Sequence, residues 1–136
     1  MSDWANDIYM MHNKFGVQEW FEKNKHDNDL MDKYLRFRLA MCQEELTETL
    51  DAVEAKDPEE IVDGLIDLCV FAIGTLDIFG VDANEAWDQV YEANSAKEVG
   101  VKAGRPNKFG LPDLTKPEGW VAPDHTGNHG DISKAM

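Results

Sequence analysis

Six carboxylates in two short stretches carry the chemistry that this sequence offers. Glu44, Glu45 and Glu48 form the first group; Glu60, Asp63 and Asp67 form the second. On a helix, at about 100° per residue, the first group falls within an arc of roughly 100° and the second within about 60°. Leu46 and Leu50 point largely away from the first group. The turns that follow the second group on its own face are Phe71 and Gly74, so the acidic stripe runs toward a buried region. Bare carboxylates held there repel one another and resist ionisation. A bound divalent cation removes that difficulty.

The donor types narrow the choice of ion. All six are oxygen ligands, and such a set suits hard cations, Mg²⁺ or Mn²⁺. A di-iron bundle needs Glu-x-x-His pairs, and His12, His26, His125 and His129 stand in no such place. No loop has the alternating acids and central Gly of an EF-hand. One acidic cluster on a helix is usually a solvated face. Two clusters on consecutive helices joined by a short turn favour a metal site, because antiparallel neighbours bring both stripes together.

These residues need helices to position them, and four are legible. The first runs from about Asp3 to Lys14 and resumes after Gly16, from Gln18 to Lys25. The second runs from near Asp29 to Lys56, with Leu35, Leu39, Cys42, Leu46, Leu50 and Val53 recurring at helical spacing. The third opens with Asp57 as N-cap, Pro58 in the first turn and Glu60 three residues after the cap, and stops before Gly80. The fourth opens at Asp82 with Glu85 three residues on, and runs to about Glu98. From Gly100 onward lie six of the ten glycines and four of the five prolines, and no hairpin pattern stands out. The expected architecture is an all-α four-helix bundle with an irregular C-terminal tail. One domain over residues 1–124 and a flexible tail over 125–136 are expected.

Bulk composition excludes several classes. The 136 residues suffice for one domain with a core. A net charge of −14, from 27 acidic and 13 basic residues, lacks the basic face that nucleic acid requires. No apolar run approaches the roughly 18 residues of a membrane span. Met1-Ser2-Asp3-Trp4 does not read as a secretory leader, and Cys42 and Cys69 in helical patterns fit a reducing cytoplasm. The run Leu68 to Ile73 is apolar on most sides. One small bundle cannot cover it all, so a homodimer or homotetramer is expected.

The two acidic clusters resemble a known signature. Glu44-Glu45-Leu46-Thr47-Glu48 followed by Glu60-Ile61-Val62-Asp63 is similar to the E-E-x-x-E…E-x-x-D pattern of MazG-like all-α nucleoside triphosphate pyrophosphohydrolases, to which phosphoribosyl-ATP pyrophosphohydrolases and all-α dUTPases are related. Asn94-Ser95-Ala96-Lys97 resembles the S-N-x-x-K segment of short, often phage-encoded members. Lys116-Pro117-Glu118-Gly119-Trp120 with Pro123-Asp124 resembles their K-P-x-G-[WY]…P-D tail. The likeness covers about residues 10 to 124. The second acidic motif has two readings: Glu60 with Asp63, or Asp67 as the final acid, since the apolar run begins after it. The second reading puts Gly64 where a Glu belongs.

The resemblance implies a metal-dependent conversion of nucleoside or deoxynucleoside triphosphates to monophosphate and pyrophosphate. Glu45, Glu48, Glu60, Asp63 and Asp67 are its implied Mg²⁺ ligands, with Mn²⁺ able to substitute. Glu44, Glu45 and Glu48 are the implied catalytic group, Glu44 as a proton acceptor. Asn94 and Lys97 are implied phosphate contacts. Arg105 is a further candidate among the five basic residues from Lys97 to Lys116, and Arg36 and Arg38 are possible helpers. Trp120, through the tail motif, and Trp20 are candidates to stack on a base; Trp4 and Trp87 read as packing. Two other readings compete: an acidic helical oligomer that only binds a partner, and a pyrophosphohydrolase for phosphoribosyl-ATP or dUTP.

Overall fold

A computed structural model describes residues 1–100 and 108–136. Five helices dominate: α1 Trp4–Lys14, α2 Val17–Asn24, α3 Asn28–Glu54, α4 Pro58–Ile78 and α5 Ala83–Ser95. The all-α expectation holds, with the first helical stretch divided at Gly16 into α1 and α2. Two three-residue strands, β1 Glu98–Gly100 and β2 Asp113–Thr115, pair antiparallel with Val99 opposite Leu114. At three residues each they are too short to carry an alternating pattern, and no strand was expected here. The chain divides into two compact units, residues 1–83 with 127–136, and residues 84–126.

In the first unit, helix ends follow local chemistry. The carboxylates of Asp3, Asp27 and Asp57 accept from the backbone N–H groups of Asn6, Leu30 and Glu60, which caps α1, α3 and α4. The turn from α3 to α4 is a Schellman motif. The Asp57 N–H returns to the Ala52 carbonyl at 3.0 Å and the Lys56 N–H to Val53 at 3.1 Å. Lys56 takes the left-handed conformation that this motif demands, φ 55°. Asp57 thus ends one helix and caps the next, which holds the connection to three residues.

That short turn makes α3 and α4 an antiparallel hairpin. The contacts nest accordingly: Thr49 meets Gly64 near the turn, and the Arg38 Nε donates to Thr75 Oγ1 at 3.2 Å farther away. A Cβ at Gly64 would overlap the Thr49 side chain. The helices therefore touch backbone to side chain at this point, and the Thr49 hydroxyl, itself buried, turns inward to donate to the Glu45 carbonyl at 2.7 Å. Gly74 plays the same part farther along, where Arg38 and His12 crowd its Cα. His12 of α1 is buried and its Nδ1 lies 2.7 Å from Asp77 Oδ2 of α4. The apolar core lies beyond, with Phe21, Met31, Ile78 and Phe79 packed together and the Phe21 and Phe79 rings edge to face at 5.3 Å.

The C-terminal residues depart from the expectation of a loose end. The Asn128 side chain receives the Asp82 N–H at 2.8 Å and donates to the Asp82 carbonyl at 2.9 Å. The Asp131 N–H bonds the Phe79 carbonyl at 2.6 Å, and Ala135, in a short 3₁₀ turn over Ile132–Ala135, is buried in the core. Glycine and polar content suggested looseness, but Gly130 is required for close approach to the end of α4, where a Cβ would meet the Phe79 and Gly80 backbone.

In the second unit, Trp120 docks on α5: its indole N–H donates to the Ala93 carbonyl at 2.7 Å, and Gln89 accepts from the Asp124 N–H at 3.1 Å. No single helix among the described residues is long and apolar enough to cross a membrane.

Substitutions at the helix contact test this account. Gly64→Leu should cost roughly 2–3 kcal/mol in urea unfolding through overpacking. Gly64→Ala should cost less, since alanine returns up to about 1 kcal/mol of helix propensity, and Thr49→Ala should partly rescue it. Lys56→Gly should instead stabilise the protein by a few tenths of a kcal/mol to about 1 kcal/mol, by relieving the left-handed lysine.

Candidate active site

The contact between Thr49 and Gly64 orders everything on either side of it. On α3, Glu45 and Thr49 lie at the seam; a rotation of about 100° per residue puts Glu44 and Glu48 on one flank and Leu46, Leu50 and Val53 on the other. On α4, with Gly64 at the seam, Glu60, Asp63 and Asp67 take one flank and Val62, Leu65 and Ile66 the other. Because the helices are antiparallel, the two acidic flanks fall on the same side. The hairpin is two-faced, acidic on one side and apolar on the opposite one.

Electrostatics agree with this placement. Glu45 is half-buried, while Glu44, Glu48, Glu60 and Asp63 are exposed and Asp67 is half-buried. Burial, followed by the charges of Glu48, Asp67, Glu44 and Asp63, holds the Glu45 carboxyl above its ordinary value. Both candidates for the final acid of the second motif, Asp63 and Asp67, therefore act on Glu45 across the seam. Glu60 is not in that set; its N–H is taken by Asp57 at the start of α4. None of these carboxylates forms an ion pair with a lysine or arginine among the described residues.

The donor chemistry fits a hard divalent cation: several carboxylates, mutual repulsion and no protein counter-charge. The side chains as they stand do not converge on one point, and among the described residues no three His, Cys, Asp or Glu do so. Binding an ion here therefore requires the exposed glutamates to swing inward by rotamer changes.

The remaining candidates are dispersed. Arg38 is committed to structure: its guanidinium donates to the Phe71 carbonyl and Thr75 hydroxyl and lies over the Phe71 ring, 5.2 Å from the centroid. Arg36 pairs with Asp32 one turn away on α3. Asn94, Lys97 and Trp120 belong to the second unit, where the Lys97 ammonium lies over the Trp120 ring. Lys102 and Arg105 fall outside the described residues. Trp20 is partly exposed and meets Tyr34 edge to face at 4.7 Å. Trp4 and Trp87, expected to pack, are exposed, Trp87 by 67%. Both cysteines are free and half-buried. The buried His12–Asp77 pair and the Thr49–Gly64 contact escaped the sequence reading. A threonine directly after the last glutamate, and a lone glycine between two acids, were the only available signals.

The chain is all-α and gathers carboxylates at one helical seam, with no lysine or arginine paired to them among the described residues. Residues 10–94 match the phosphoribosyl-ATP pyrophosphohydrolase family, and the chain is a member of that family, within the MazG-like superfamily. The match spans α3, α4 and the acidic seam. Membership makes the protein a pyrophosphohydrolase acting on a nucleotide. No curated protein matches the chain.

Glu45 provides a test that does not need turnover. Its folded pKa lies above its unfolded one, so the folded state holds the extra proton between the two values. Stability therefore falls as pH rises through that window, and the ionised carboxylate is a burden at neutral pH. Glu45→Gln should raise the melting temperature at pH 7 in metal-free buffer. The gain should vanish below pH 4, where the wild-type side chain is also neutral.

Proposed function

We propose that the protein is a Mg²⁺-dependent nucleoside triphosphate pyrophosphohydrolase that releases pyrophosphate and a nucleoside monophosphate. The observation that carries this reading is the set of four carboxylates around the half-buried Glu45, unpaired with any lysine or arginine among the described residues, in a chain of the family to which it belongs. Glu45, Glu48, Asp63 and Asp67 would hold the ion, with Glu60 as a further ligand on the exposed end of α4. When bound, the cation offsets phosphate charge and acidifies a coordinated water. Glu44, exposed on the outer edge of the acidic flank, would accept the proton of the attacking water as the water oxygen bonds the α-phosphorus. The bond from the α-phosphorus to the bridging oxygen breaks, and pyrophosphate leaves. Asn94 and Lys97 are assigned to the phosphate chain by their likeness to the S-N-x-x-K segment.

Canonical deoxynucleotides such as dGTP and dCTP are the favoured substrates, as in the short phage-type proteins that the chain resembles. Phosphoribosyl-ATP is the second reading, and the name of the matched family favours it. The reaction would proceed in the cytoplasm, that of the host if the protein is phage-encoded. A panel of deoxy- and ribonucleoside triphosphates, dUTP and phosphoribosyl-ATP, each with Mg²⁺ or Mn²⁺, separates these cases by pyrophosphate release. Glu48→Gln should lower release at least a hundredfold while leaving the fold intact, because it removes a ligand and relieves repulsion. Near wild-type turnover in that variant would exclude the metal-centred mechanism.

The apolar flank supports a homo-oligomer. Leu50, Val53 and Val62 are 59%, 51% and 63% exposed, and Leu46, Leu65 and Ile66 are about half exposed beside them. The expected patch, Leu68 to Ile73, is mostly half-covered within the chain, so the uncovered surface lies nearer the α3–α4 turn. A continuous apolar face of this kind on a soluble chain calls for a partner, here a second copy. Light scattering at micromolar concentration should give a dimer or tetramer, and Leu50→Asp with Ile66→Asp should give a monomer.

A further inference from the structure

In the second unit, two lysines share one indole. The Lys97 ammonium lies 5.5 Å from the Trp120 centroid and the Lys116 ammonium 4.9 Å from the same point. The ring is itself fixed, because its N–H donates to the Ala93 carbonyl on α5 at 2.7 Å. Two cations held within such a distance of one centroid repel each other. The ring's negative face offsets part of that cost and fixes where the charges sit.

A chain with 27 acidic residues has carboxylates to spare. Lys23, Lys25, Lys33 and Arg36 each pair with an acid three or four residues away. Lys97 and Lys116 pair with none among the described residues, although Glu118 stands two positions from Lys116 and Glu92 is on the helix that leads to Lys97. Among the described residues the two ammonium groups form a preformed dication without a counter-ion. A multiply charged anion with oxygens spread over several ångströms satisfies both lysines at once, which a single carboxylate does not.

We propose that Lys116 is a second phosphate-binding residue beside Lys97, and that Trp120 is a positioning residue that holds the two ammonium groups for a phosphate chain rather than a platform for the base. The inference rests on the pyrophosphohydrolase reading for the identity of the anion, a nucleoside triphosphate tail or the pyrophosphate it releases. An indole tied at its edge to Ala93 and flanked by two ammonium groups has its surroundings set by positive charge. The occupant suited to this geometry brings negative charge.

The test uses the full chain labelled with ¹⁵N, with the Trp120 indole N–H signal assigned by its loss in Trp120→Phe. Inorganic triphosphate, without metal, should shift that signal saturably, and the dissociation constant should rise about tenfold in Lys116→Met, the loss of one charge-assisted contact. In steady-state assays Lys116→Met should raise KM for the best triphosphate about tenfold and leave kcat within about threefold. Trp120→Phe, which keeps a ring, should be milder in KM than Trp120→Ala. If a nucleoside without phosphates shifts the indole signal while Lys116→Met has wild-type KM, Trp120 is a base platform and the proposal is overturned. An indole signal unmoved by inorganic triphosphate, in a protein that hydrolyses triphosphates, overturns it alone. Saturable triphosphate binding in a protein that releases no pyrophosphate from any nucleotide supports the anion site and removes the hydrolase reading instead.

Discussion

Like-charge repulsion across one helical seam is the constraint on which the rest of the structure depends. Glu45 and Asp67 are drawn partly out of water where α3 and α4 come together, and Glu44, Glu48 and Asp63 add their charges around them. On α2 and α3, Glu19, Asp29 and Asp32 each pair with a lysine or arginine one turn away; among the described residues the seam carboxylates do not. Such a feature lowers the stability of the empty protein and is tolerated because the surrounding contacts over-determine it. The closeness of Thr49 to Gly64 and the double duty of Asp57 hold α3 against α4 despite that charge, and His12 with Asp77 ties α1 to α4.

The same closeness divides labour between the two faces of the hairpin. Near Thr49 and Gly64 the seam is made by small residues, and the apolar packing of α3 against α4 lies at the far end, where Met31 and Leu35 meet Ile78 and Phe79. The leucines and valines that α3 and α4 present on the far flank stay half exposed within one chain. Stability that the seam does not supply must come from the Phe21–Phe79 core at one end and from whatever covers the apolar flank. The arrangement links an active site that is costly to hold with a surface that gains from association.

Much of this was legible in the sequence, for a physical reason: helices announce themselves through periodicity and caps. Asp57-Pro58-Glu59-Glu60 marks the start of α4 without ambiguity, and the spacing of the six acids places them on adjoining faces. The site's depth was not legible, because it depends on a tertiary contact, Gly64 against Thr49, that leaves only a glycine in an acidic stretch as its trace. Gly64 looked like a misfit in the second motif; in the structure it is the reason that Asp63 and Asp67 both approach Glu45. The packing of the last residues was hidden for a related reason. Asn128 and Gly130 have the composition of a flexible end, and only the geometry of the α4 terminus shows them to be fitted to it. Short strands such as Glu98–Gly100 lie below the length at which alternation becomes visible.

The bond pair between Asp82 and Asn128 has a topological consequence. The chain leaves the first unit at Asp82 and rejoins it at Asn128, and the two points are stitched to each other. Everything between is an excursion whose entry and exit share one doorway. The stitch and the seating of Ala135 oppose the entropy of closing that loop. The intervening segment is in that sense a cassette: lengthening it adds little closure entropy, because that cost grows only slowly with loop length.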